Sequence, residues 1–130
     1  MNGLAYQRQA LRTESSRFPL DDGRCNQDLL QQSRLLHAGI GLATEAGEFL
    51  DPLKKALFYG KPVDLLNLKE EIGDMLWYIA IACDALGTTV PIEMERNITK
   101  LCTRYPEKFN DVQANDRDLD AERNALESHP

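Results

Sequence analysis

The stretch Leu36-His37-Ala38-Gly39-Ile40-Gly41-Leu42-Ala43-Thr44-Glu45-Ala46-Gly47-Glu48-Phe49-Leu50 combines apolar residues at helical spacing with two carboxylates three residues apart. The apolar series continues outward to Leu29 on one side and to Leu53 and Leu57 on the other, which predicts one long helix over Gln27–Tyr59. Asn26 is its N-cap candidate. Pro52 withholds the N–H that would bond the Glu48 carbonyl, so the axis kinks there or the helix restarts. Gly39, Gly41 and Gly47 each lower helix propensity by up to about 1 kcal/mol. Close helix packing or substrate access is the expected compensation.

Beyond this helix, Tyr59-Gly60-Lys61-Pro62 reads as a turn, with Gly60 suited to the position just after a helix and Pro62 preventing continuation. Asp64 can cap a second helix running to about residue 86, with Leu65, Leu68, Ile72, Met75, Leu76, Ile79 and Ala82 as its apolar series and Gly87 as its end. Pro91 suits the first turn of a third helix over residues 92–104, which Pro106 stops. On the N-terminal side, residues 4–13 have few breakers and predict a short helix, followed by a loop containing Ser15, Ser16, Pro19, Asp21, Asp22 and Gly23. No period-two stretch competes as a strand, so the fold class is all-α. Residues 110–130 are polar and read as a short exposed helix or a disordered tail with little chemistry.

Composition narrows the function. A chain of 130 residues, 42% hydrophobic, is long enough for one domain with its own core. Its net charge of -6 argues against a surface that binds nucleic-acid polymers by neutralising phosphates, although a metal can bridge a nucleotide to carboxylates. Cys25, Cys83 and Cys102 have neither CxxC spacing nor an even count, which points to a reducing cytoplasm. No apolar run reaches the roughly 18 to 20 residues of a membrane span, and Met1-Asn2-Gly3-Leu4-Ala5-Tyr6-Gln7-Arg8 lacks the order of a secretory signal. A soluble intracellular protein is expected.

The candidate chemistry lies in four acids. Glu45 with Glu48, and Glu71 with Asp74, are pairs at i and i+3, so each pair projects from one helix face. Facing each other, the pairs would form a divalent-metal site, and oxygen-only ligands favour Mg²⁺ or Mn²⁺ over zinc. The stripe on the first long helix is His37, Gly41, Glu45 and Glu48, and that on the second is Asn67, Glu71, Asp74 and Tyr78. The third helix aligns Asn97, Lys100 and Arg104, an anion-holding counterpart suited to a metal-bound phosphate substrate.

Such pairs also occur on ordinary solvated faces, and Glu70 is expected to be that kind of residue. Glu45 and Glu48, however, sit among Ile40, Leu42, Ala43, Ala46 and Phe49, while Asp74 is followed by Met75, Leu76 and Trp77. Acids that border core positions need partners. His37 is either a packing residue or a substrate contact, and Trp77 is expected in the core or at a subunit interface. Tyr78 lies one turn beyond Asp74, within reach of a phosphate. Lys54, Lys55 and Lys61 form a basic cluster that is either a solvated edge or a phosphate contact, with Lys54 the phosphate candidate. Cys83 and Cys102 lie in helical core patterns without a nearby histidine, which argues against a cysteine nucleophile.

The ordered set resembles a known family. ExxE, a spacer of 22 residues and then ExxD is similar to the signature of the MazG-like all-α nucleoside triphosphate pyrophosphohydrolases. Residues 37–48 resemble the first motif helix, residues 69–78 the second, and residues 97–106 the closing Asn, Lys and Arg-aromatic-Pro element. The resemblance covers residues 27–109, with continuation through the N-terminal helix, so residues 1–109 form the expected domain. It implies Mg²⁺-dependent hydrolysis of a nucleoside triphosphate between the α and β phosphates, with Mn²⁺ as substitute. Glu45, Glu48, Glu71 and Asp74 would hold the metal, and Glu48 is the candidate to orient or deprotonate the attacking water. Asn97, Lys100 and Arg104 would hold the phosphate chain, helped by Tyr78.

The family further implies a helical bundle completed by association into a homodimer or homotetramer. Its roles range from house-cleaning of damaged nucleotides to phage-type control of a deoxynucleotide such as dGTP, in which case the location is the host cytoplasm. The base-reading candidates are Gln7, Arg12, Thr13 and Asn26, together with His37. The competing readings are a non-catalytic metal and nucleotide sensor on the same bundle, and a purely structural helical interaction protein.

Overall fold

A computed structural model describes residues 1–17 and 26–128. Among them are six helices and no strand: α1 (Gly3–Leu11), α2 (Gln27–Tyr59), α3 (Leu65–Ala85), α4 (Val90–Arg104), α5 (Asp111–Asn115) and α6 (Leu119–Glu127). The all-α class follows. Pro19, Asp21, Asp22 and Gly23 of the expected loop, and Cys25, lie outside the described residues.

The capping chemistry explains the boundaries. Asn26 accepts from the backbone N–H of Asp28 and Leu29 at the start of α2, and Asp64 accepts from Leu66 and Asn67 at the start of α3. Gly60 and Gly87 end these helices with φ of 63° and 71°, conformations that a β-carbon disfavours. Helix α4 begins two residues before its expected start and takes Pro91 into its first turn. Helix α2 runs through Pro52 without interruption, so it does not restart there.

The chain forms two compact units, Met1–Thr89 and Val90–Pro130. In the first, α2 and α3 pack as an antiparallel hairpin: near the start of α2, Gln31 Nε2 donates to the Ala85 carbonyl at the end of α3 at 2.7 Å. Arg34 fastens the same end by donating to Glu14 at 2.8 Å through both Nε and Nη2, and to Asp84 at 2.7 Å. Helix α1 packs on α3, where Trp77 Nε1 donates to Thr13 Oγ1 at 2.8 Å and to the Ala10 carbonyl at 3.2 Å. Half-buried Trp77 thus locks α1 in place.

The core of this unit is built from small residues. Ala10, Ala38, Ala80, Cys83 and Ala85 are buried around Ile81, the one large side chain that is fully buried among the described residues. Leu36, Ile40, Leu50 and Leu57 of α2, Leu65, Ile72 and Leu76 of α3, and Leu86 at the C-cap of α3 remain exposed.

In the second unit α6 packs on α4. The segment expected as an exposed helix or disordered tail contains α5 and α6, and it buries a charge: Glu122 is 4% exposed.

Candidate functional site

The α2–α3 hairpin brings the two acidic motifs together at mid-length. One carboxylate oxygen from each of Glu45, Glu71 and Asp74 lies within 4.8 Å of the others. Glu45 is half-buried, Glu71 buried and Asp74 exposed, so the cluster runs from the helix interface outward. Glu48 stands outside this set, exposed, on the wall of an adjoining groove. That groove has a volume of about 470 Å³ and is also lined by Gly47, Asp51, Lys55, Asn67 and Glu71.

The electrostatics show the strain of gathering like charges. The Glu45 carboxyl is pushed above its ordinary range, first by partial burial, then by the charge of Glu48, by a hydrogen bond to Glu71 that only the protonated acid can donate, and by Asp74 and Glu71 as charges. Tyr78 is raised by burial and then by Glu45, Asp74 and Glu48, and Tyr6 by burial and Asp74. These shifts place both phenols in the field of the acids. Asn67 Nδ2 donates to Glu71 Oε1 at 2.6 Å and holds that buried carboxylate in position.

The aromatic wall is packed tightly. His37, Trp77 and Tyr78 meet edge to face, with His37 5.5 Å from Tyr78 and 6.0 Å from Trp77 between ring centroids. The Tyr78 ring lies directly over Gly41: a β-carbon there would fall 2.1 Å from Tyr78 Cε1. Close packing therefore accounts for Gly41. Gly39 and Gly47 meet nothing within 4 Å.

The remaining candidates are distributed as follows. Lys54 is exposed and pairs with Asp51 at 2.8 Å, and Lys55, which lines the groove, pairs with the same carboxylate. Gln7 is buried and its Nε2 donates to the Thr88 carbonyl at 3.2 Å. Thr13 Oγ1 donates to the Ala10 carbonyl at 2.8 Å while accepting from Trp77, and the Asn26 side chain caps α2. The polar atoms of these three base-side candidates are thus engaged in holding the fold. Arg12 is exposed and donates to Gln9. In the second unit, Asn97 is exposed, Lys100 half-buried, and Arg104 forked onto Glu122.

Two contributors, Tyr6 and Glu122, were not singled out from the sequence, and Asn67 was placed on the acidic stripe of the second long helix without a role. Asn67 carried a signal, lying four residues before Glu71 on the same face. Tyr6 carried none, because its hydroxyl reaches the Gly73 carbonyl at 3.3 Å only through the packing of α1 on α3. Glu122 had the appearance of an ordinary surface acid.

A converging set of carboxylates on two antiparallel helices, with no strand among the described residues, defines an all-α acidic-cluster protein suited to a hard divalent cation. The profile of the MazG nucleotide pyrophosphohydrolase domain matches residues 34–113, and the chain belongs to this family. It is also similar to the gene 37 protein of Mycobacterium phage L5, 32% identical over 74 residues, which are 54% of this chain and 65% of that protein. The match thus spans just under two thirds of that relative's length. No solved structure matches the chain significantly.

Proposed function

We propose that the protein hydrolyses a nucleoside or deoxynucleoside triphosphate between its α and β phosphates, releasing a monophosphate and pyrophosphate, with Mg²⁺ or Mn²⁺ as cofactor. The supporting observation is the convergence of Glu45, Glu71 and Asp74 within 4.8 Å in a chain of the MazG family. Three carboxylates so close repel one another, a contribution that adds to burial and the Glu48 charge in raising the Glu45 carboxyl, and an all-oxygen donor set fits a hard cation that would remove the repulsion. When bound there, such a cation lowers the pKa of water and offsets phosphate charge.

The protein's own residues supply the rest. Glu45, Glu71 and Asp74 hold the cation, and Asn67 fixes the orientation of Glu71. Glu48, exposed on the groove wall, orients or deprotonates the attacking water. Asn97, Lys100 and Arg104 carry the phosphate chain. In the groove, Lys55 is better placed than Lys54 to add a cation. The Tyr78 hydroxyl sits in the field of the acids and assists at the phosphates, and His37 on the aromatic wall is the base-side contact.

A second copy of the chain covers the exposed apolar faces of α2 and α3, giving a homodimer or a dimer of dimers. The relative in a mycobacteriophage is in keeping with control of a deoxynucleotide pool such as dGTP, in a reducing cytoplasm. No single helix among the described residues is long and apolar enough to cross a membrane.

The test is a panel of ribo- and deoxyribonucleoside triphosphates with Mg²⁺, with separation of products. Monophosphate plus pyrophosphate is expected. Release of orthophosphate and diphosphate would overturn the position of cleavage, and tight binding without turnover would make the protein a sensor. Glu71→Ala or Asp74→Ala should lower turnover by at least about a hundredfold while helical content is retained.

A further inference from the structure

Tyr6 is the residue by which α1 reaches the acidic cluster, and both lie within the first unit. Its hydroxyl meets the Gly73 carbonyl at 3.3 Å, at the peptide bond that joins Gly73 to Asp74. Other contacts hold α1 in place: Trp77 Nε1 donates to the Ala10 carbonyl and to Thr13 Oγ1, and buried Gln7 donates to the Thr88 carbonyl. The phenol is thus set at the outer margin of the cluster, where Asp74 is exposed. Asp74 is the acid whose charge acts on it, whereas Tyr78 also feels Glu45 and Glu48. Helix α1 precedes residue 34, where the family match begins.

A carbonyl can only accept, so the contact with Gly73 uses the single proton of the Tyr6 hydroxyl. What the phenolic oxygen then offers is acceptance, and the neighbouring Asp74 carboxylate is an acceptor as well. Such an edge disfavours a bare phosphate oxygen, which also only accepts, and suits a group that donates. In a nucleoside triphosphate the donors are the sugar hydroxyls and the N–H groups of the base.

We propose that Tyr6 is a specificity-determining residue whose phenolic oxygen accepts a hydrogen bond from the nucleoside part of the substrate, a sugar hydroxyl or a base N–H, beside Asp74. The inference rests on the reading of Glu45, Glu71 and Asp74 as the cation and triphosphate site given above. Helix α1 thereby adds nucleoside recognition to the acidic hairpin, with Gln7 and Thr13 holding the helix while Tyr6 makes the contact. A Tyr6 that only fastened α1 to α3 would change Tm without changing the KM of the folded protein. A Tyr6 that met a water on the cation would act alike on any polyphosphate bound there, with or without a nucleoside.

The experiment compares wild type and Tyr6→Phe as full chains with Mg²⁺. It measures steady-state hydrolysis of the preferred triphosphate and its inhibition by inorganic tripolyphosphate, which carries no nucleoside, with circular dichroism and Tm on each. Tyr6→Phe keeps the ring, and the bond it loses is a long one, so helical content should be intact. KM should rise about three- to tenfold, the worth of one neutral hydrogen bond, with kcat within about twofold. The inhibition constant of tripolyphosphate should stay within about twofold of the wild-type value. The dideoxy form of the same triphosphate, which lacks the sugar hydroxyls, identifies the donor: a Tyr6→Phe effect that vanishes with it assigns a sugar hydroxyl, and one that persists assigns a base N–H. Either result upholds the contact. An unchanged KM in folded Tyr6→Phe, or an equal weakening of tripolyphosphate, would overturn the inference alone. Absence of turnover in the wild type would overturn the proposed function and this inference with it.

Discussion

A methyl group added at Gly41 would sit 2.1 Å from Tyr78 Cε1 and 2.2 Å from Cζ, and the ring cannot simply retreat because Trp77 and His37 pack against its edges. Gly41→Ala should therefore cost about 1–3 kcal/mol in chemical denaturation, as overpacking of a closed contact does. Gly47→Ala meets nothing within 4 Å and should instead stabilise α2 by up to about 1 kcal/mol. The two glycines are indistinguishable in the sequence, since only the tertiary contact separates them. The acids lead to a second prediction. Because the folded Glu45 carboxyl is raised, the folded state holds its proton more tightly than the unfolded chain does, so in metal-free protein stability falls as pH rises from the unfolded carboxylate value through the folded one. Above that window Mg²⁺ should raise Tm, and on acidification through it, as protons compete with the cation for Glu45, the Tm gain should shrink. Glu45→Gln should raise the metal-free Tm at neutral pH. A lower Tm would show that like-charge repulsion is not what strains this cluster.

At the level of elements, helices α2, α3 and α4 were readable because their ends are written in local chemistry: Asn26, Asp64, Gly60, Gly87 and Pro91 act within a few residues of themselves. Pro52 was harder to read. Its missing N–H costs one hydrogen bond, but the packing of α2 along α3 carries the helix across the gap. Pro52→Ala should raise stability, by up to about 3 kcal/mol, measured by urea denaturation. Helix α6 could not be recognised as a packed element, because its buried residue is an acid. Glu122 is held by Arg104 and Arg117, eighteen and five residues away. These guanidinium groups hold its carboxyl well below the usual carboxylate range, with Arg104 the larger cause. The sign is thus opposite to that of Glu45: the stabilisation is complete above the unfolded value of about 4.3 and is lost as pH falls toward the folded one. Amide exchange in α6 should accelerate on acidification below about pH 4, and Glu122→Gln should show that fast exchange already at neutral pH.

For the molecule as a whole, the two ExxE-type motifs made the acidic cluster legible, whereas the apolar sequence did not reveal which of its faces the chain would bury on its own. Leu65, Ile72 and Ile79 of α3 and Leu86 at its C-cap recur every seven residues, with Leu76 on the same side of the helix, and all five are exposed. That is the spacing of a seam between helices rather than of a solvated face. The buried set behind it is mostly alanine, which gives the first unit little large apolar volume of its own. In the proposed homodimer a second copy of the same seam would satisfy the deficit by symmetry, since a two-fold contact needs only one self-complementary face. Light scattering should then give a mass of at least twice the 14.7 kDa chain. Leu76→Glu sets like charges against each other across the axis and removes an apolar residue from the seam, so it should yield a monomer of lower Tm, with the Tm of the wild type rising with protein concentration. A wild type that scatters as a monomer at micromolar concentration, or a Leu76→Glu variant of unchanged mass, would leave this seam without its partner.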